Sequence, residues 1–163
     1  MAEYQGGIEV SKPEQKLKEL GLELPQVTAP VGSYIPATQW GNLVFTSGQL
    51  PVRQGQLAYT GKLGGEVSIE EGYEAARTCA LNALAAIKDV VGSLDRVEKV
   101  VKVVGFVASA EGFTSQPQVV NGASDLLKEV FGEAGVHARS AVGMAELPLG
   151  APVEVELVVA IKP

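Results

Sequence analysis

Two stretches of this chain carry apolar side chains at three- and four-residue spacing, and the first is followed by a stretch rich in β-branched residues. The first runs through Ile69, Tyr73, Ala76, Ala80, Leu84, Ile87 and Val91, which predicts a helix with one apolar face. Ser68-Ile-Glu-Glu71 opens it as a capping box, and Gly92 stops it. The second opens at Gln116-Pro-Gln118, with Pro117 in the first turn. It continues through Val119, Val120, Ala123, Leu126, Leu127, Val130 and Phe131 to Gly132 and Gly135. Neither apolar face is stable in water, so each helix must bury it against another element.

The strands are read from the segments between. Val97 to Ala108 is long and β-branched, the pattern of a central strand. Tyr34 to Gly48 reads as a hairpin turning at Trp40-Gly-Asn42. Leu43-Val-Phe-Thr-Ser-Gly-Gln49 has no charge on either face, so both faces are expected to be covered. Leu50 to Val67, rich in glycine, reads as a long loop. The last 27 residues, His137 to Pro163, read as two strands joined by a turn over Pro148 to Ala151. The order strand, strand, helix, strand, helix, strand, strand predicts a single α+β domain, a mostly antiparallel sheet with two helices packed on one face. Residues 1–28 are expected to form an arm with a short helix, opened by Ser11-Lys-Pro-Glu14 and stopped at Gly21. Residues 29–163 are expected to form the domain.

If the closing block is a hairpin with Leu147 opposite Pro152, strand alternation sorts its side chains. Val142 and Met144 then share a face with Val153, Val155, Leu157 and Val159, against the helices. Arg139, Ala141, Gly143 and Ala145 share the other face with Glu154, Glu156, Val158 and Ala160. That second face is small-residued and mildly apolar, which suits self-association. A homo-oligomer with Arg139 and Glu154 near a subunit boundary is the expectation.

Composition closes several routes. The net charge is −6, and no Lys/Arg cluster interrupts it, so a nucleic-acid phosphate backbone is a poor partner. The single Cys79 lies in the apolar run Ala75-Ala-Arg-Thr-Cys-Ala-Leu and reads as a buried helix residue. One histidine, His137, with one cysteine does not furnish a zinc site, and no metal is expected. His137 itself reads as a loop or interface residue. No phosphate loop of the G-x-x-x-x-G-K-[ST] type and no G-x-S-x-G elbow is present. No apolar run approaches the ~20 residues that span a bilayer. The N-terminus has no basic segment before an apolar run, and the expected location is the cytoplasm, away from membranes.

Several short blocks then fall into a familiar order. Gly32-Ser-Tyr34, Gly41-Asn42, Thr46-Ser-Gly-Gln49, Asn82, Asn121, Ala138-Arg-Ser140, Leu147-Pro148 and Val153-Glu-Val-Glu156 resemble the RidA (YjgF-like) family over roughly residues 29–161. The resemblance implies a chorismate-mutase-like fold assembled as a homotrimer, with sites in the clefts between subunits. It also implies hydrolysis of reactive enamines and imines of the 2-aminoacrylate or 2-iminopropanoate type to 2-keto acids and ammonia, without a cofactor. Other members of that family have been described as endoribonucleases or translation inhibitors. Carried across by position, Arg139 matches the arginine that binds the substrate carboxylate, and Glu154 matches the glutamate associated with the hydrolytic water. Tyr34, Ser47, Gly48 and Asn121 match residues lining the same cleft. Ala141 stands where many members have Cys, and Ser33 replaces the usual Pro before Tyr34. The arm and the 50–67 loop resemble those of a longer subfamily.

The side chains suit that chemistry. A guanidinium offers two parallel donors to a carboxylate, a geometry Lys cannot copy. Holding the carboxylate of a 2-imino acid also fixes the C=N carbon for attack. Glu154 can orient or deprotonate the attacking water, with Glu156 as the rival base. Ser47 can hydrogen-bond the nitrogen or the water, and Tyr34 can cover the cleft. The competing expectation is a binding module, in which the same cleft holds a keto acid or another small carboxylate without turnover.

Overall fold

The computed structural model describes residues 11–27 and 29–163. Helix α1 spans Lys12–Glu19. Strands β1 (Ala37–Trp40) and β2 (Leu43–Thr46) form a hairpin, and β3 (Val52–Arg53) and β4 (Gln56–Leu57) form a small ribbon. Helix α2 (Ile69–Val91), β5 (Val97–Ala108), α3 (Gln116–Phe131), β6 (Ala138–Met144) and β7 (Val153–Ile161) complete the chain. The main sheet has the order β1-β2-β7-β5-β6, antiparallel throughout except for the parallel pair β5–β6. Among the described residues, no helix is long and apolar enough to cross a membrane.

The long helices follow from local signals. Ser68 accepts a bond from the Glu71 N–H, and the Glu71 carboxylate accepts one from the Ser68 N–H. Two of the orphan donors at the start of α2 are thereby satisfied. Gly92, at φ +89°, ends the helix in a backbone region costly for other residues. Both helices cover one side of the sheet, α2 over β7, β2 and β1 and α3 over β5 and β6. They pack closely on each other because Gly122 leaves room. A Cβ there would stand 2.8 Å from the Tyr73 carbonyl carbon and 3.2 Å from the Arg77 nitrogen.

Helix α1 is tied to the body. Its Leu17 is buried in the main core. Ser11 caps it through the Glu14 N–H, 3.2 Å, and donates its hydroxyl to the Glu14 carboxylate, 2.6 Å. The predicted capping box is therefore half made, because the other Glu14 oxygen is taken by Lys88 of α2. The Lys12 N–H reaches Asp95, 3.1 Å, beyond α2.

Three readings are corrected. First, the 50–67 segment is not all loop, since it contains the β3–β4 ribbon, and Asn82 of α2 donates to the Leu50 and Val52 carbonyls beneath it. Second, β2 is covered on one side only within the single chain. Val44 and Thr46 are buried, whereas Phe45 is 40% exposed and Trp40, beside it in the hairpin, 83%. Third, β6 and β7 are not a hairpin. Each pairs with β5, on opposite edges. The connection through Pro148–Gly150 steps across the end of β5, with Leu149 and Gly150 both at positive φ.

That third difference moves side chains. Val103 is registered with Arg139 on one edge and with Leu157 on the other, and Gly105 with Ala141 and Val155. Residues registered side by side project to one face. Arg139, Ala141 and Gly143 therefore lie on the helix-covered face with Val153, Val155, Leu157 and Val159. Val142 and Met144 lie on the opposite face with Phe106, Glu154, Glu156, Val158 and Ala160. They are 42% and 37% exposed, not packed under the helices. The predicted face for Glu154 holds, and the one for Arg139 is inverted.

Candidate functional site

The site residues fall into two groups. Arg139 sits near the start of β6, at the edge of the helix-covered face, and its side chain is bound by one stripe of α3. Nη1 donates to Asn121 Oδ1 at 2.8 Å and to Ser124 Oγ at 3.1 Å, and Nη2 donates to the Pro117 carbonyl at 3.3 Å. Positions 117, 121 and 124 recur at helical spacing, so one face of α3 supplies all three acceptors. Of the five guanidinium N–H groups, three are engaged. Nε–H and one Nη2–H have no partner among the described residues. Those two nitrogens share one edge of the guanidinium, the edge that can accept a carboxylate side-on.

Ala141, two residues along β6, packs against the main core from this same face. Its registered neighbour is Gly105, where a Cβ would be driven into Val120 of α3. The close seat of α3 on β5 thus depends on that glycine, and through it the distance from α3 to Arg139 is set.

The second group is built on the far face and on the segment leaving β2. The Gly48 backbone lies against the Glu154 side chain. A Cβ at Gly48 would stand 2.7 Å from the Glu154 carboxyl carbon and 3.0 Å from its Cγ. Gly48 is therefore required by the carboxylate it touches. The next residue, Gln49, pairs with Val155 through two backbone bonds of 2.8 and 3.0 Å, which fixes the approach. Ser47 Oγ donates to the Ile35 carbonyl at 2.6 Å, and its N–H to Pro36 at 2.8 Å. Its hydroxyl proton is thereby spent on positioning the 34–36 segment, and Ser47 can only accept a bond from a ligand. Tyr34, 57% exposed, borders a cavity of about 510 Å³ together with Pro36, Gly48, Gln49 and Asn82. A second cavity of about 670 Å³ shares Pro25, Gln26, Val52, Gln54 and Asn82 with the first. Neither includes Arg139, Asn121 or Glu154.

The electrostatics separate the carboxylates from the thiol. Burial holds the Glu154 carboxyl above its ordinary value of 4.5, and the neighbouring charge of Glu156 adds to the effect. Cys79 is fully buried in α2, as expected from its apolar context. Burial, reinforced by Glu154, pushes its thiol well up, so it is no nucleophile. No group of three or more His, Cys, Asp or Glu that could hold a metal occurs among the described residues.

The structure thus brings Arg139 to Asn121 and Ala141, and Gly48 to Glu154, Ser47 and Tyr34, but it keeps Arg139 and Glu154 on opposite faces of one sheet. Ser124 and His137 belong with the first set and were not singled out as site residues. The sequence signal for Ser124 was the i, i+4, i+7 run Pro117, Asn121, Ser124, visible only once Arg139 is known to face α3.

The sequence pattern of a family described as "YjgF/chorismate mutase-like, putative endoribonuclease" matches residues 14–161, from inside α1 to the last residue of β7. The chain is 46% identical over 144 residues to Protein TCP17 of Trypanosoma cruzi, covering 88% of this chain and 90% of that protein. It is 32% identical over 143 residues to a 2-iminobutanoate/2-iminopropanoate deaminase of Dermatophagoides farinae, covering 86% and 95% respectively. The crystal structure of a protein of unknown function from Agrobacterium tumefaciens superposes with a TM-score of 0.85 at 46% identity, covering 92% of each chain.

Proposed function

Because this chain belongs to the YjgF/chorismate mutase-like family, we propose that it hydrolyses small 2-imino or enamine acids to 2-keto acids and ammonia. Arg139 grips the carboxylate with its Nε–H and free Nη2–H. Glu154 directs a water to the C=N carbon and takes one of its protons as the C–O bond forms. The adduct's nitrogen takes that proton back from Glu154 and a second one from the new hydroxyl, and the C–N bond breaks to release ammonia and leave the keto acid. A carboxyl held above its ordinary value is a stronger base than a free carboxylate and better suited to accept that proton. Imines are electrophilic already, so positioning and polarisation by side chains suffice, and no cofactor or metal enters the scheme.

The observation that carries the reading is Arg139 fixed by three bonds with its Nε–H and one Nη2–H left over. The opposite placement of Glu154 adds a condition, that one substrate touches both groups only where two copies of the chain meet. The apolar open face favours such an assembly, and a homotrimer with sites at its subunit boundaries is the form proposed. Net charge −6 argues against RNA as substrate.

The test is to generate 2-iminopropanoate in place with an amino-acid oxidase and trap it with semicarbazide. The wild-type protein is expected to lower the trapped imine, and Arg139→Ala to leave it unchanged. No effect of the wild type sinks the reading for that substrate. Saturable pyruvate binding, lost in Arg139→Ala without turnover in either protein, favours the binding module instead.

A further inference from the structure

We infer that Ser124 and His137 are positioning residues for Arg139, a relay that presets the guanidinium edge before any ligand arrives. The inference rests on the reading of Arg139 as the carboxylate grip. Its starting point is a chain of four groups. Arg139 Nη1 lies 3.1 Å from Ser124 Oγ, Ser124 Oγ 2.9 Å from His137 Nε2, and His137 Nδ1 2.6 Å from the Gly135 carbonyl.

The proton positions follow from what each group can do. A carbonyl only accepts, so Nδ1 of His137 carries a hydrogen and gives it to Gly135. A guanidinium only donates, so Ser124 Oγ accepts from Arg139. In the relay, the single hydroxyl proton of Ser124 goes to Nε2, which accepts it as a bare ring nitrogen. Every donor and acceptor in the chain is used once, with one tautomer of His137. Aligned bonds of this kind polarise one another, and the Ser124 oxygen becomes a better acceptor for Arg139.

The far end of the relay is closely packed. A Cβ on Gly135 would stand 2.7 Å from the Leu127 carbonyl carbon and 3.0 Å from the Lys128 Cα, so this residue is wedged against the last turns of α3. His137 precedes β6 by one residue, and Arg139 is the second residue of that strand. The relay therefore ties the start of β6 to the middle and the end of α3. Arg has among the largest rotamer entropies of any side chain, and holding it in advance spares the ligand that cost. Without Ser124, Asn121 and Pro117 would each hold one Nη nitrogen by a single bond, and Ser124 supplies the second bond to Nη1 that tightens the hold.

The experiment uses the full-length chain with 15N-labelled His and Arg, and pyruvate as probe. In the wild type, NMR of the neutral imidazole is expected to show the His137 proton on Nδ1 and none on Nε2. The Arg139 Nη signals should show hindered rotation. Ser124→Ala should release that rotation and weaken pyruvate binding about tenfold. Ser124→Thr, which keeps the hydroxyl, should restore both to within about twofold. A proton on Nε2 rather than Nδ1 in the wild type overturns the inference, as does an Arg139 equally mobile in wild type and Ser124→Ala. The tautomer is read without any substitution, so the inference stays open to failure even if Ser124→Ala does not fold. Hindered Arg139 rotation that Ser124→Ala releases, in a protein that neither binds pyruvate nor hydrolyses imines, supports the relay and sinks the proposed function.

Discussion

The two faces of the main sheet are made by alternate residues of the same strands, yet they have opposite fates. On one, Val44, Val103, Val155, Leu157 and Val159 are sealed under α2 and α3. On the other, Trp40, Phe45, Val142 and Met144 remain exposed around Glu154 and Glu156. Fully burying such a side chain contributes roughly 1.5–3 kcal/mol. The covered face accordingly accounts for the fold of one chain, and the open face holds a smaller reserve that a second copy can use. The candidate site divides along the same line, with Arg139 on the helix side and Glu154 on the open side.

Adjacent residues of β7 test this contrast most sharply. Leu157→Ala, on the covered face, is expected to cost about 2–5 kcal/mol in chemical denaturation. Val158→Glu, on the open face, should leave the single chain folded and reduce the mass in solution to that of a monomer. A folded oligomer with Val158→Glu breaks the assignment of the open face to self-association.

Arg139→Lys is the next largest. It keeps the charge but loses the fork, so pyruvate affinity and imine turnover should fall at least about tenfold while the melting temperature holds. Unchanged affinity means that Arg139 is a structural partner of α3 and not a grip.

Gly48→Ala probes the far side. The added methyl must displace the Glu154 carboxylate, and a fall in turnover of about tenfold is expected. Unfolding is spared, because the group displaced is the end of a flexible side chain. Pyruvate binding, which depends on Arg139, should change less than turnover does.

Glu154→Gln is expected to have the smallest effect on stability and a telling sign. A carboxyl whose pKa is raised on folding binds protons more tightly in the folded chain. Its penalty is therefore absent below the ordinary carboxylate range and grows as pH rises through the folded value. Glu154→Gln should raise the melting temperature by about a degree or two at pH 7. That gain should vanish near pH 3, while turnover is lost. A melting temperature lowered at pH 7 breaks the picture of a carboxylate held at a cost in stability for its chemistry.

Much of this was readable before any coordinates. The span of α2 follows from Ser68, Glu71 and Gly92, because a capping box and a glycine stop act within one turn. The span of β5 follows from its run of β-branched residues. The short family blocks point to Arg139, Glu154, Gly48 and Asn121, but not to their division into two groups. The pairing of β6 was not readable, because β5 has two edges and a local pattern does not say which neighbour takes which. Placing β6 against β7 kept the alternation within each strand but inverted the face of one relative to the other.

Periodicity, capping and turn chemistry in this chain determined which segments are helices and strands and which residues of each strand alternate together, since those interactions reach only a few residues. Which strand lies beside which was decided by tertiary packing. It was β5 taking β6 on one edge and β7 on the other that turned Arg139 toward Asn121, Ser124 and Pro117 and left Glu154 on the open face, because side chains registered across a ladder share a face whatever their distance in sequence.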